Sequence, residues 1–168
     1  GPRDDSSLQS IWAFRSADGT YRKLVDLKTP VPGKGGTFHD LQLDDTAPVV
    51  RAGTVVFLAR EASTPQVLNP QGIYQVAAAG GAVSRIADYT SSDPSGGTFS
   101  VFDLRGRQAG GFSFDGTRIA FRAENNAHAG AYYGGLSGGP IGMAADDLHP
   151  LALAGAAVAS FDNPAISA

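Results

Sequence analysis

The chain repeats itself, and a chain built of copies has to bury each copy against its neighbour. Three stretches align. Ile11 to Asp26, IWAFRSADGTYRKLVD, is followed by TPVPGKGGTF. Ile73 to Asp88, IYQVAAAGGAVSRIAD, is followed by SSDPSGGTF. Ala131 to Asp146, AYYGGLSGGPIGMAAD, is followed by DLHP and a degenerate AGAAVASFD. Ile11 to Ile73, Asp26 to Asp88 and Pro32 to Pro94 each span 62 positions, and Ile73 to Ala131 and Asp88 to Asp146 each span 58. A spacing held at several residue types at once marks a structural unit, with small insertions confined to loops, where they cost least.

Each unit reads as four short strands. An aromatic strand (Ile11 to Phe14, Ile73 to Val76, Ala131 to Tyr133) passes through a Gly turn to a strand ending in the shared Asp. A Pro/Gly-rich loop, a strand at Thr37-Phe38 or Thr98 to Phe102, and the strand AGTVVF (52–57) or GTRIAF (116–121) complete it. In GFSFDGTRIAF (111–121), alternating Phe112 and Phe114 lead into Asp115-Gly116, predicted to occupy both central positions of a two-residue hairpin turn. With 22 glycines, 10 prolines and 17% charged residues, the composition favours short strands and turns over helices. Only Ala144 to Leu148 is compatible with one helical turn.

GFSFDGTRIAF resembles the SPDG-x-x-IAF hairpin of TolB-type, WD40-like propeller repeats, and the longer pattern is similar to tandem repeats of bacterial exported and surface-anchored proteins. The resemblance covers Ile11 to Asp162 and implies an all-β, β-propeller-like fold of four-stranded antiparallel blades, about 2.5 to 3 per chain. The units are 11–57, 73–121 and 131–168, within a single repeat domain over 9–168, after a disordered tail over 1–8. Gly1-Pro2 reads as a protease-cleavage remnant. Closed propellers have about 4 to 8 blades, so completion by homo-oligomerisation or by the remainder of a longer propeller is expected. Phe161-Asp162 aligns with Phe102-Asp103 at 59 positions, and a missing strand after it is one that a second subunit can supply.

The chemistry in the sequence is sparse. With no cysteine there are no disulfides, thiolate metal sites or cysteine nucleophiles. A net charge of -3 with scattered basic residues argues against nucleic acid, and no apolar run reaches the length of a membrane span. Gly135-Leu136-Ser137-Gly138-Gly139 imitates a nucleophile elbow, but His39, His128 and His149 stand in no protease context, so it reads as a turn. VPGKGGT (31–37) lacks the Ser/Thr and helix that a phosphate loop requires after its lysine and reads as a loop. Asp147 with His149 has a spacing compatible with a metal but no third ligand, and no metal or other cofactor is called for.

Asp26, Asp88 and Asp146 recur at one place in the unit, which suits either a strand-ending Asp bonded to the next turn or a ring of acids able to hold a cation or sugar hydroxyls. These three, with Tyr89 and Tyr133 as stacking surfaces, are the candidate ligand-binding residues. Trp12, Tyr74 and Tyr132 share a register and are expected in the core. The function expected is a non-enzymatic binding or assembly module, secreted or on a bacterial surface, contacting a glycan or protein through Glu61 to Gln71 and Glu124 to Ala129. The alternatives are a carboxylate-based lyase or hydrolase near a propeller channel, and a purely structural part of a larger surface protein.

Overall fold

The structure is a computed structural model, which describes residues 9–43, 46–62, 70–102, 111–125, 127–136 and 138–146, and the strand backbone at 152–153 and 156–157. Among these residues there is no helix, and every paired strand is antiparallel. The strands are β1 (Ser10–Arg15), β2 (Thr20–Asp26), β3 (Phe38–Asp40), β4 (Val49–Arg51), β5 (Thr54–Glu61), β6 (Gln71–Ala77) and β7 (Ser84–Asp88). Then follow β8 (Phe112–Phe114), β9 (Arg118–Glu124), β10 (Ala129–Gly135), β11 (Gly142–Asp146), β12 (Ala152–Leu153) and β13 (Ala156–Ala157). Ala144 to Asp146, open to a helical turn in the sequence, lies instead in β11.

Hydrogen bonding groups the strands into two like sheets. One runs β4-β5-β6-β7, with β3 beside the far end of β5, and the other β8-β9-β10-β11. Each therefore takes its first two meander strands from the end of one sequence unit and its last two from the start of the next. β1 and β2 form a separate hairpin equivalent to β6-β7 and β10-β11. The likeness extends to a defect. Pairing skips Leu24 between Ile11↔Val25 and Trp12↔Lys23, Ile86 between Ile73↔Ala87 and Tyr74↔Arg85, and Ala144 between Ala131↔Ala145 and Tyr132↔Met143. A bulge conserved in place through three copies sharpens the twist of each outer strand at the same point.

The turns depart from the reading in one respect. Asp115 precedes the turn: its Oδ1 accepts Thr117 N and Arg118 N, both at 2.7 Å, and only Gly116 has a positive φ (+112°). With Thr117 Oγ1 and Arg118 Nε these make four bonds that hold the Asp115 carboxyl down to about 2, the Arg118 and Thr117 backbone donors first. The turn with positive φ at both central residues joins β4 to β5, at Ala52 (+47°) and Gly53 (+75°).

The sheets are stacked, which is why β5 departs from simple alternation: Val55 through Ala59 are all buried. Val55, Phe57 and Ala59 pack with Ile11, Val25, Phe38 and Tyr74 toward the β1-β2 hairpin. Val56 and Leu58, on the opposite face, pack with Phe102, Phe112, Phe121 and Tyr132 toward the second sheet. Each core is centred on the same ring triad. Phe38, Phe57 and Tyr74 have centroid separations of 5.9, 4.9 and 5.9 Å, and Phe99, Phe121 and Tyr132 of 5.9, 4.9 and 5.8 Å.

Candidate functional site

The Pro/Gly loop after β2 closes through Val31 N to Gly36 O (2.9 Å) and Lys34 N to Val31 O (3.2 Å). It carries Lys34 out of its own hairpin onto the next sheet. There Nζ donates to Glu61 Oε1 at 2.7 Å and lies 2.8 Å from Asp88 Oδ2, with the Tyr89 ring centroid 3.8 Å away. Glu61 also accepts the Tyr74 hydroxyl at 2.7 Å. Asp88 accepts Thr90 N (2.9 Å), Thr90 Oγ1 (2.7 Å) and Ser91 Oγ (3.2 Å) on one oxygen and Arg85 Nη1 (3.2 Å) on the other. Two cations and two carboxylates thus balance in a cluster where Asp88 is wholly buried.

Room for this cluster comes from a missing side chain. Gly72 lies opposite Asp88, and a Cβ there would sit 2.7 Å from the Tyr74 hydroxyl and 2.9 Å from Asp88 Cβ. Gly130, opposite Asp146, stands in the same relation to the Tyr132 hydroxyl at 2.9 Å. In the first copy the place belongs to Ser10, whose Oγ accepts the Trp12 indole N-H at 2.7 Å.

Protonation follows from the packing. Burial pushes the Asp88 carboxyl up, but the bonds from Lys34 and Thr90 outweigh it and leave it below its ordinary value. For Lys34, burial lowers the ammonium and the bonds to Asp88 and Glu61 reverse this, leaving it raised. Tyr74 is pushed far up by burial and by its bond to Glu61. A lysine held charged, an Asp held ionised and a tyrosine held neutral do not exchange protons near pH 7. The cluster therefore acts as an electrostatic lock between neighbouring sheets.

Its pH response has a definite sign. The depressed Asp88 contributes stability that is present above about pH 4, its unfolded value, and lost as pH falls through the folded value. The raised Lys34 contributes stability present below about pH 10 and lost as pH rises through its folded value. The unfolding midpoint is expected to be flat from pH 5 to 9 and to drop below about 4, with a shallower acid limb in Asp88→Asn. An acid limb of equal steepness in that variant would contradict the lock.

The next joint uses the same loop with reversed polarity. Asp93 takes the place of Val31, its N bonding Gly97 O (3.1 Å) while Gly96 N bonds Asp93 O (2.9 Å). Its Oδ2 accepts Asn125 Nδ2 (2.9 Å) and the Tyr132 hydroxyl (3.0 Å). Here the acid comes from the loop and the donor from the strand end, so each joint is matched within itself and mismatched to the other.

The five residues singled out in the sequence do not converge. Asp26 stays in its own turn, accepting Lys28 N (3.0 Å), Thr29 Oγ1 (3.1 Å) and Lys23 Nζ (2.6 Å). Asp88 and Tyr89 belong to the Lys34 lock. Asp146 ends β11 opposite Gly130, with its side chain outside the described residues. Tyr133 is half exposed on β10. The Ser137 and Asp147/His149 motifs and Phe161-Asp162 also fall outside the described residues, while Gly138 has the φ of a turn (+72°). The Glu124 to Ala129 connection is tight, with Asn125 Oδ1 accepting Ala127 N and His128 N at 2.7 Å. Lys34, Glu61 and Asp93 carry the joints, and sequence reasoning missed them because their partners lie 13 to 54 residues away.

The largest correction concerns Trp12. Its register mates Tyr74 and Tyr132 are buried, yet Trp12 is 54% exposed, as are Phe14 (57%) and Tyr21 (71%). The reason is positional: β6 and β10 each pair with a β5- or β9-type strand that supplies the covering Phe, and among the described residues β1 pairs with β2 alone. Beside this face is a concavity of about 570 Å³, lined by Trp12, Phe14, Leu43, Pro48, Val50 and Val55. Elsewhere on the hairpin, Arg22 bonds the Ala79 carbonyl and ties β2 to the turn after β6.

No protein-family model matches the chain, and neither a curated protein nor a solved structure matches it. Among the described residues no group of His, Cys, Asp and Glu is arranged to hold a metal, and no helix is long and apolar enough to cross a membrane.

Proposed function

We propose that the chain is a non-enzymatic binding and assembly module of propeller-type blades, exported in a bacterium, which engages a protein or glycan ligand through its connecting loops. The observation that carries this reading is the uncovered β1 face. Trp12 and Phe14 stand exposed at a register where the two later copies bury their equivalents against a further strand. An unpaired strand edge flanked by exposed aromatics is a surface built for addition of another element. The neutralised Lys34 lock supports a structural rather than acid-base use of the buried carboxylates.

Size-exclusion chromatography with light scattering, run across a concentration series, tests the assembly. A mass above one chain is expected, and a strict monomer at every concentration would overturn it. A glycan array on the folded protein tests the ligand class: binding supports a glycan, and a flat array removes it in favour of protein.

A further inference from the structure

The short β12-β13 hairpin repeats β4-β5 in register. Val50 pairs with Val55 and Arg51 with Thr54; Ala152 pairs with Ala157 and Leu153 with Ala156. All four residues are displaced by 102 positions, and the sequence agrees over a longer run. Pro48 matches Pro150, and Ala52-Gly53 matches Ala154-Gly155. β12 and β13, a two-stranded sheet, thus correspond to the first two strands of a four-stranded sheet, and β1 and β2 to the last two. One half has a free edge where the other half's neighbour belongs.

On the assembly reading above, we infer that β13 of one copy pairs with β1 of a second copy, reciprocally, so that two chains close into a single six-sheet ring. This joint continues an interface already made twice within the chain, β5 on β6 and β9 on β10. The described residues of one chain make three sheets' worth of strands, those of two chains six and of three chains nine, and of these numbers six lies within the ~4 to 8 blades that close a propeller. Two such joints, each covering Trp12 and Phe14, bury on the order of 1,000 Å² in all, the lower bound for a specific interface.

The register is fixed by transfer. Thr54↔Ala77 and Val55↔Val76 become Ala156↔Arg15 and Ala157↔Phe14 between copies. The sequence has no cysteine, so Phe14→Cys with Ala157→Cys gives a clean cross-linking pair and Ala13→Cys with Ala157→Cys a one-residue shifted control, in which positions 13 and 14 face opposite sides of the strand. Oxidation of the first pair is expected to give a covalent dimer on a denaturing gel and of the second none. Ala157→Pro, which removes a ladder donor, is expected to shift the light-scattering mass from two chains to one while cooperative unfolding persists. A dimer unchanged by Ala157→Pro and not cross-linked overturns this partner and leaves the assembly reading standing. An intrachain cross-link overturns the second copy as occupant, and a monomer before any substitution overturns both.

Discussion

Lys34→Met is expected to lower folding stability by about 3–5 kcal/mol, because it strands Glu61 and Asp88 as buried carboxylates without their shared ammonium. Breaking one side of a buried ion cluster costs far more than the cluster contributes, since the desolvation of the remaining charges is no longer offset. Two comparisons isolate the cause. Lys23→Met removes an ion pair to Asp26 whose lysine is half exposed, and should cost no more than about 1 kcal/mol. Lys34→Met combined with Glu61→Gln and Asp88→Asn removes the orphaned charges and should recover most of the loss. Denaturant midpoints at unchanged slope read all three. Equal losses for Lys34→Met and Lys23→Met would show that the buried lock contributes nothing of its own.

Phe57→Ala and Phe121→Ala are each expected to cost about 3–5 kcal/mol, and to agree with each other within about 1 kcal/mol. Both rings are fully buried, and each meets the two other rings of its triad at nearly identical separations. Truncation leaves a cavity that the packed rings cannot refill, because the partners are fixed by their own backbone, Phe38 on β3 and Tyr74 on β6 beside Phe57, and Phe99 and Tyr132 beside Phe121. Phe121 has an additional neighbour in Phe102 at 5.9 Å, so its loss should be the larger of the two. Tyr133→Ala, half exposed on the same strand as Tyr132, should cost less than about 1 kcal/mol. A small effect at either phenylalanine would mean that the two cores are not the same structural unit.

Most of the strand content was legible because it rests on period and turn chemistry. Ile73-Tyr74, Ile119-Phe121 and the shared Asp positions mark the strands and their ends, and glycines at 19, 53, 80 and 138 mark turns through their positive φ. The grouping of those strands was harder to read. A repeat tells how far to slide the sequence but not where one sheet stops, and the 58-to-62 spacing is equally consistent with any starting strand. Hydrogen bonding resolves it by pairing β5 with β6 across the boundary that the sequence units had drawn.

The same limit explains Trp12 and Lys34. An aromatic in register with two core tyrosines carries the same local signal whether or not a strand covers it; burial is decided by the neighbour, and among the described residues β1 has none on that edge. A lysine in a glycine-rich loop reads as solvated until the loop is folded onto the next sheet, where Glu61 and Asp88 wait 27 and 54 residues downstream. Periodicity and turn residues, which act over a few positions, were therefore determined by the sequence alone. Which face is covered and which charge is paired were decided only by tertiary structure, because both depend on groups that the chain brings together from far apart.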